Sequence, residues 1–252
     1  MTKEKGSFIN FKKDVPLEIV RNLKEGVMLI RACIGTRKQY KQTNPTLYKQ
    51  IFEDIEWNAT HDVSLYGGSI YENKKSKYAS EQSYIISPLD ENNKASNLYN
   101  DCTGILLIGQ DKITGNNISL LSHQNPRYFL INQDNKNTFK HGLDLALEEA
   151  KKRCFEGTID IVIFGGNYLK ENALSQNNYI NSVNLLNEEV KKVLGFEPFV
   201  ITGPKTNDDK GYKDDVFYDN SNQRFYIMRG QVGDASAESY FPSKIEEQKK
   251  RW

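Results

Sequence analysis

Apolar positions along the middle of the chain recur at two periods and alternate between them. Tyr84-Ile-Ile-Ser87 reads as a strand, followed by the polar loop Asp90-Glu-Asn-Asn-Lys94. Gly104 to Gln110 reads as a strand with a continuous apolar run, Gly104 to Gly109, the pattern of a strand buried on both faces. Thr114-Gly-Asn-Asn117 is a turn cluster and Ile118 to Ser122 the returning strand, so this stretch predicts a hairpin. A helix follows, with Thr138 as its cap and Phe139, Leu143, Ala146, Leu147 and Ala150 on one face. Lys151, Lys152 and Arg153 then stand at the end where the helix dipole favours cations. Ile159 to Phe164 is a strand that runs into Gly165-Gly166. A second helix covers about Ile180 to Leu194, with Val183, Leu186, Val190 and Val193 along one side and Gly195 as its stop. Pro198 to Thr202 is a strand, and Asp215 to Tyr218 with Arg224 to Met228 forms a closing hairpin.

Ahead of Tyr84 the pattern is less regular. Pro16 to Lys24 fits a helix, and Thr46 to Trp57 fits another, with Leu47, Ile51 and Ile55 on one face. Val27 to Cys33 fits a buried strand and a short buried helix equally well. His61 lies in a polar stretch with no partner nearby in sequence, and Tyr71 to Lys77 reads as a surface connection. These signals divide the chain into an N-terminal extension (1–77), a core (78–230) and a tail with a short helix (231–252). The fold class they predict is α+β, a sandwich-like strand core flanked by helices.

With 34 basic and 33 acidic residues the net charge is +1, so the whole-chain field gives no reason to invoke nucleic acid. No apolar run approaches the roughly 20 residues that a membrane span needs. The N-terminus has lysines but no apolar stretch after them, which points to a cytoplasmic protein or to export without a cleavable signal peptide. The three cysteines, Cys33, Cys102 and Cys154, form no CxxC pair, which argues against a disulfide framework or a zinc site of the usual spacing. Cys33 and Cys154 read as packing residues, and His141 as a first-turn residue on a helix surface.

Cys102 differs because it stands at a loop-to-strand junction, while His123 ends the paired strand just before Gln124-Asn-Pro126. A hairpin closed through the Gly-Asn-Asn turn sets the two positions nearly opposite, where Cα atoms lie about 4.5–5.5 Å apart. The register decides the outcome, since a slip of one residue sends the side chains to opposite faces. An imidazole beside a thiol favours the thiolate, which attacks amide carbonyls, and the same ring then protonates the leaving amine. Spacing alone makes ordinary packing the commoner explanation of such a pair.

The order of motifs from Ser96 to Arg229 resembles the chemoreceptor glutamine deamidase (CheD) family, over about 135 of the 252 residues. That family carries a Thr six residues before a catalytic Cys, a buried strand, a glycine turn, and a strand ending in the catalytic His with a proline close behind. Ser96, Cys102, the 104–110 strand, Gly115, His123 and Pro126 stand in those places. An amphipathic helix and a Phe-Gly-Gly strand end follow, here Phe139 to Ala150 and Phe164-Gly165-Gly166. The motif that opens the family's next helix is matched by Ile180 to Asn184, and the closing hairpin by Val216 to Asp219 and Arg224 to Met228. The same catalytic arrangement recurs in toxin deamidases of the cytotoxic necrotizing factor type.

The resemblance implies a cysteine-dependent hydrolysis of a protein glutamine to glutamate. Cys102 is then the nucleophile, His123 the base and acid, and Ser96 the residue that orients the ring, with Asn97 and Thr103 as alternatives. No cofactor or metal is implied, and the partner is a protein that presents a glutamine. An effector or toxin acting on a host protein fits as well as a chemotaxis enzyme. The family's Leu-Gly-Ser-Cys is replaced by Tyr99-Asn-Asp-Cys102, and a carboxylate at Asp101 works against ionisation of the neighbouring thiol. Two alternatives stay open. One is a thiol peptidase or transglutaminase using the same pair, and the other is a binding module on an inactive scaffold.

Overall fold

The continuous apolar runs lie where two sheets and two long helices meet. The computed structural model describes residues 17–20, 30–52, 60–63, 84–130, 132–166, 168–169, 173–203, 205–206 and 212–231. The surface connection expected at 71–77 and the terminal helix expected near 244–251 lie outside the described residues.

In chain order the elements begin with strands β1 (Leu17–Val20) and β2 (Arg31–Thr36), helices α1 (Arg37–Thr43) and α2 (Pro45–Phe52), and strands β3 (Thr60–Asp62) and β4 (Tyr84–Ile86). Strands β5 (Asn93–Tyr99), β6 (Thr103–Gln110) and β7 (Asn117–Gln124) follow, then helices α3 (Pro126–Phe129) and α4 (Gln133–Arg153). Strands β8 (Asp160–Gly165) and β9 (Tyr168–Leu169) precede helix α5 (Ala173–Leu194). Strands β10 (Phe199–Thr202), β11 (Lys205–Thr206), β12 (Tyr212–Asp219) and β13 (Arg224–Gln231) complete the described chain.

The described residues are mixed α+β, with two large mixed sheets that do not close into a barrel and a parallel pair of short strands, β9 and β11. The first has six strands in the order β1-β2-β13-β12-β5-β3, and the second five in the order β10-β8-β6-β7-β4. Alternation along the buried strands sorts side chains into layers. Ile105, Leu107, Ile161 and Ile163 join a cluster with Phe139, Leu143, Leu147, Leu186 and Val190 of α4 and α5. Their neighbours Leu106, Ile108, Val162 and Phe164 meet Val216, Tyr218, Phe225 and Ile227 of the other sheet. Phe217, Tyr226 and Met228 face outward against Tyr40 and Tyr48 of the two short helices. A strand apolar at every position is therefore lined on both sides, as its sequence predicts.

Several local expectations give way to tertiary contacts. Leu17–Val20 is a strand, not part of a helix, and pairs Leu17 with Ile34 through Val20 with Arg31. Two β-branched residues, Ile19 and Val20, suit that pairing once an edge is available. The ambiguous run ends as strand β2, parallel to β13. Helix α4 starts before Thr138, capped by Asn132, whose side chain accepts from the Asn135 N–H at 2.7 Å. Thr138 instead donates to the Asp134 carbonyl from inside the helix, and His141 falls on an exposed inner turn. Helix α5 likewise starts at Ala173, so the Ile180–Asn184 motif lies within it and does not open it. In both helices the extra turns are mostly polar, which leaves no apolar period to announce them.

Strand β3 holds the other edge of the first sheet, parallel to β5. His61 on it finds a partner after all: its Nε2 lies 2.6 Å from Asp90 Oδ2 and 3.1 Å from Asn92 Nδ2. Lys94, fully buried, donates to Asp90 Oδ1 at 2.5 Å and to the Asn92 carbonyl at 2.7 Å. The 90–94 stretch is thus an ionic anchor as well as a loop. Burial pulls the Lys94 ammonium down to about 8 against the opposing pull of Asp90. Burial also opposes the Asp90 charge, but the hydrogen bond from His61 and the charge of Lys94 hold that carboxyl well below its usual range.

Breaking a buried pair on one side strands the other charge, which costs about 3–5 kcal/mol. Asp90→Ala is therefore expected to lose about 3 kcal/mol in urea unfolding at neutral pH, and Asp90→Ala/Lys94→Met to recover much of it. Equal stability of Asp90→Ala and the parent chain would show that the anchor carries no weight.

Candidate active site

Strand β5 does not pair evenly. Lys94, Ala95 and Ser96 face Tyr218, Phe217 and Val216 of β12, but Tyr99 then faces Asp214. Three steps on β5 match two on β12, which is a bulge of one residue. Residues an odd number apart in a regular strand face opposite sides. The extra residue lets Ser96 and Tyr99 both enter the layer between the sheets.

Both reach the same ring there. Ser96 Oγ lies 2.9 Å from His123 Nδ1. The Tyr99 ring stacks on the imidazole, with centroids 4.0 Å apart and planes 18° from parallel. The Tyr99 hydroxyl donates to the Ser122 carbonyl at 2.8 Å, and Phe164 meets the same ring edge-on at 4.9 Å. With Nδ1 occupied by Ser96, His123 Nε2 is buried and has no hydrogen-bond partner among the described residues.

The hairpin register settles which face Cys102 shares. Thr103 pairs with Gln124 and Leu106 with Leu121, so Gly104 stands across from His123 and Cys102 lies diagonal to it. Both side chains belong to the inter-sheet face, at a diagonal spacing of about 7–8 Å between Cα atoms. The pair is diagonal where a nearly opposite placement was expected, and His123 Nε2 makes no hydrogen bond to Cys102. A side chain at position 104 would intrude on this arrangement, because its Cβ would stand 2.5 Å from the Phe164 ring and 2.8 Å from the Tyr99 ring.

The Phe164-Gly165-Gly166 motif fixes the Cys102 backbone. Gly166 N–H donates to the Cys102 carbonyl at 2.7 Å. Both glycines have positive φ, +84° and +76°. A Cβ on Gly165 would come within 2.8 Å of that carbonyl, and one on Gly166 within 2.2 Å of the Tyr179 ring. Glycine is needed at both positions for backbone angle and for close approach.

The pair is uncharged at rest. Cys102 is 3% exposed and His123 is fully buried. Burial pushes the Cys102 thiol far up, Asp101 pushes it further, and Arg127 opposes both. Asp101 is ion-paired with Arg127 of α3, so its carboxylate has a counter-charge. Burial lowers the His123 imidazolium to about 3. Of the alternative orienting residues, Thr103 faces the helices, with its Oγ1 2.6 Å from Ser182 Oγ of α5. Among the described residues, no group of three or more His, Cys, Asp or Glu is arranged to hold a metal ion. No described helix is long and apolar enough to cross a membrane.

Sequence reasoning named Ser96, Cys102 and His123 but missed Tyr99, Gly104 and Arg127. Tyr99 carried a signal, as an aromatic three residues before the Cys, but its role depends on a bulge that no local pattern announces. No protein-family model matches the chain, and no curated protein does.

The buried imidazole makes stability pH-dependent. An unfolded His binds its proton near pH 6.5, whereas folded His123 stays neutral down to about pH 3. Its contribution is complete above about pH 6.5 and is lost as pH falls toward 3. Between pH 7.5 and 5 the chain is expected to lose about 2 kcal/mol more stability than a His123→Gln variant. Parallel losses in urea unfolding would contradict a neutral buried ring.

Proposed function

We propose that the protein is a cysteine-dependent glutamine deamidase of the chemoreceptor-deamidase type, acting on a carboxamide presented by another protein. One observation carries this reading: Ser96 occupies His123 Nδ1 and leaves a buried, unpartnered Nε2 on the face that also holds Cys102. With the proton on Nδ1 and donated to Ser96 Oγ, Nε2 offers a lone pair to the thiol. The motif order from Ser96 to Arg229 is the second support.

The chemistry runs in two halves. His123 Nε2 takes the Cys102 proton as sulfur attacks the glutamine carbonyl carbon. The oxyanion so formed is held by backbone N–H groups near Cys102. The C–N bond breaks, ammonia departs with the proton from His123, and a thioester remains. Water gives a proton to the ring, attacks the thioester and releases glutamate, and the thiol is restored. A neutral thiol–imidazole pair suits this order, because charge then develops only as the bond forms. A thiol peptidase or transglutaminase would use the same first half and differ in the amide cleaved or the nucleophile that resolves the thioester.

Burial favours a second reading. A cysteine only 3% exposed, with its ionisation disfavoured by burial, also suits a scaffold that binds a partner without turnover.

The two separate in one set of measurements. Under the first reading, a panel of glutamine-bearing proteins contains a target that gains about one dalton with release of ammonia. Cys102→Ala and His123→Gln lose at least roughly 100-fold of that activity. Ser96→Ala loses about ten-fold, and Ser96→Thr keeps most of it, since the hydroxyl is retained. Chain cleavage or amine incorporation in place of the one-dalton gain identifies the peptidase or the transglutaminase. A Cys102 that reacts with iodoacetamide no faster than Cys33, with no mass change on any target, favours the binding scaffold.

A further inference from the structure

Tyr99 stands where the resembled family carries a leucine, and it does more than fill space. Its ring covers one face of the His123 imidazole, 4.0 Å away and nearly parallel. Its hydroxyl is tied to the carbonyl of Ser122, the residue before His123 on the same strand. Phe164 meets the Tyr99 ring edge-on, and the missing side chain at Gly104 leaves the space that ring fills. The bulge in β5 delivers Ser96 to the ring edge and Tyr99 to the ring face from one strand. A hydrogen bond at Nδ1 alone leaves the imidazole free to tilt about that contact. A stacked ring removes the tilt, because sliding or tipping either ring loses the face contact.

From this geometry we infer that Tyr99 is a positioning residue for His123, acting with Ser96 as a two-point clamp that holds Nε2 toward the Cys102 side. The inference rests on the reading of Cys102 and His123 as a working pair, and it adds a residue whose effect passes through the ring. In this role Tyr99 acts through the ring it stacks on and takes no part in the bond changes. Stacking also shields the ring from water and so helps keep the imidazole neutral, the form that accepts the thiol proton.

The test uses the whole chain and two variants, Tyr99→Phe and Tyr99→Leu. The first readout is the NMR spectrum of the His123 ring. In the parent chain its carbon-bound protons lie upfield from the shielding of the stacked ring, and the two ring nitrogens report one dominant tautomer. Tyr99→Phe keeps both signatures, whereas Tyr99→Leu loses the upfield shift and mixes the tautomers. The second readout is the pH profile of Cys102 alkylation by iodoacetamide. Tyr99→Leu slows it about ten-fold and alters the profile's shape, while Tyr99→Phe stays within about three-fold of the parent.

A His123 ring without upfield-shifted protons in the parent chain overturns the inference, and that measurement stands even where Tyr99→Leu fails to fold. A folded Tyr99→Leu chain with unchanged ring signals and alkylation profile overturns it as well. Failure of the catalytic reading looks different: Cys102 is then no more reactive than Cys33 in the parent, while the ring signals still report whether Tyr99 holds His123.

Discussion

One surplus residue in β5 governs the centre of this protein. Without the bulge between Ser96 and Tyr99, only one of the two can face the second sheet, and the other joins the outer layer with Ala95 and Phe217. With it, a hydroxyl and an aromatic ring arrive together on one imidazole. Bulges break a ladder locally and leave an unpaired position, so they persist where the redirected side chain is worth more than the lost pairing. The pair Asp214–Arg229 links β12 and β13 at the end where the register of β5 shifts.

Around that clamp the backbone approaches too closely for ordinary residues. Gly104 admits the Tyr99 and Phe164 rings, and Gly165 and Gly166 let β8 close on the Cys102 carbonyl. The cysteine is thus held through its backbone and the histidine through its side chain, by different strands. The Asp101–Arg127 pair crosses from the loop before β6 to α3, beside the buried sulfur. The electrostatic state follows from the packing: burial between two sheets disfavours thiolate and imidazolium alike.

The same sheet carries a second polar cluster, with a different character. His61, Asp90, Asn92 and Lys94 come within hydrogen-bond distance of one another at the edge where β3 joins β5. Lys94 and Ser96 lie on the same inward face, two residues apart, so one strand serves both the ionic anchor and the histidine clamp. Strands β1, β2 and β3, drawn from the N-terminal segment, cover both ends of this sheet. Strand β2 pairs with Arg224 to Arg229 of β13, and β3 with Asn93 to Ala95 of β5, so those stretches of edge are occupied within the chain.

The amino-acid sequence by itself determined the elements whose burial is uniform. The 104–110 strand follows from its continuous apolar run, the hairpin through Gly115 and the closing hairpin from turn residues between strand-length segments, and the apolar faces of α4 and α5 from a period of 3.6. It also marked Ser96, Cys102 and His123 by their order along the chain. Only the tertiary structure decided that Leu17–Val20 is a strand, that His61 has Asp90 for a partner, and that Cys102 and His123 share a face diagonally. It alone placed Tyr99 on the ring. Each of these depends on a partner distant in sequence or on a single shifted register, and local periodicity carries no record of either.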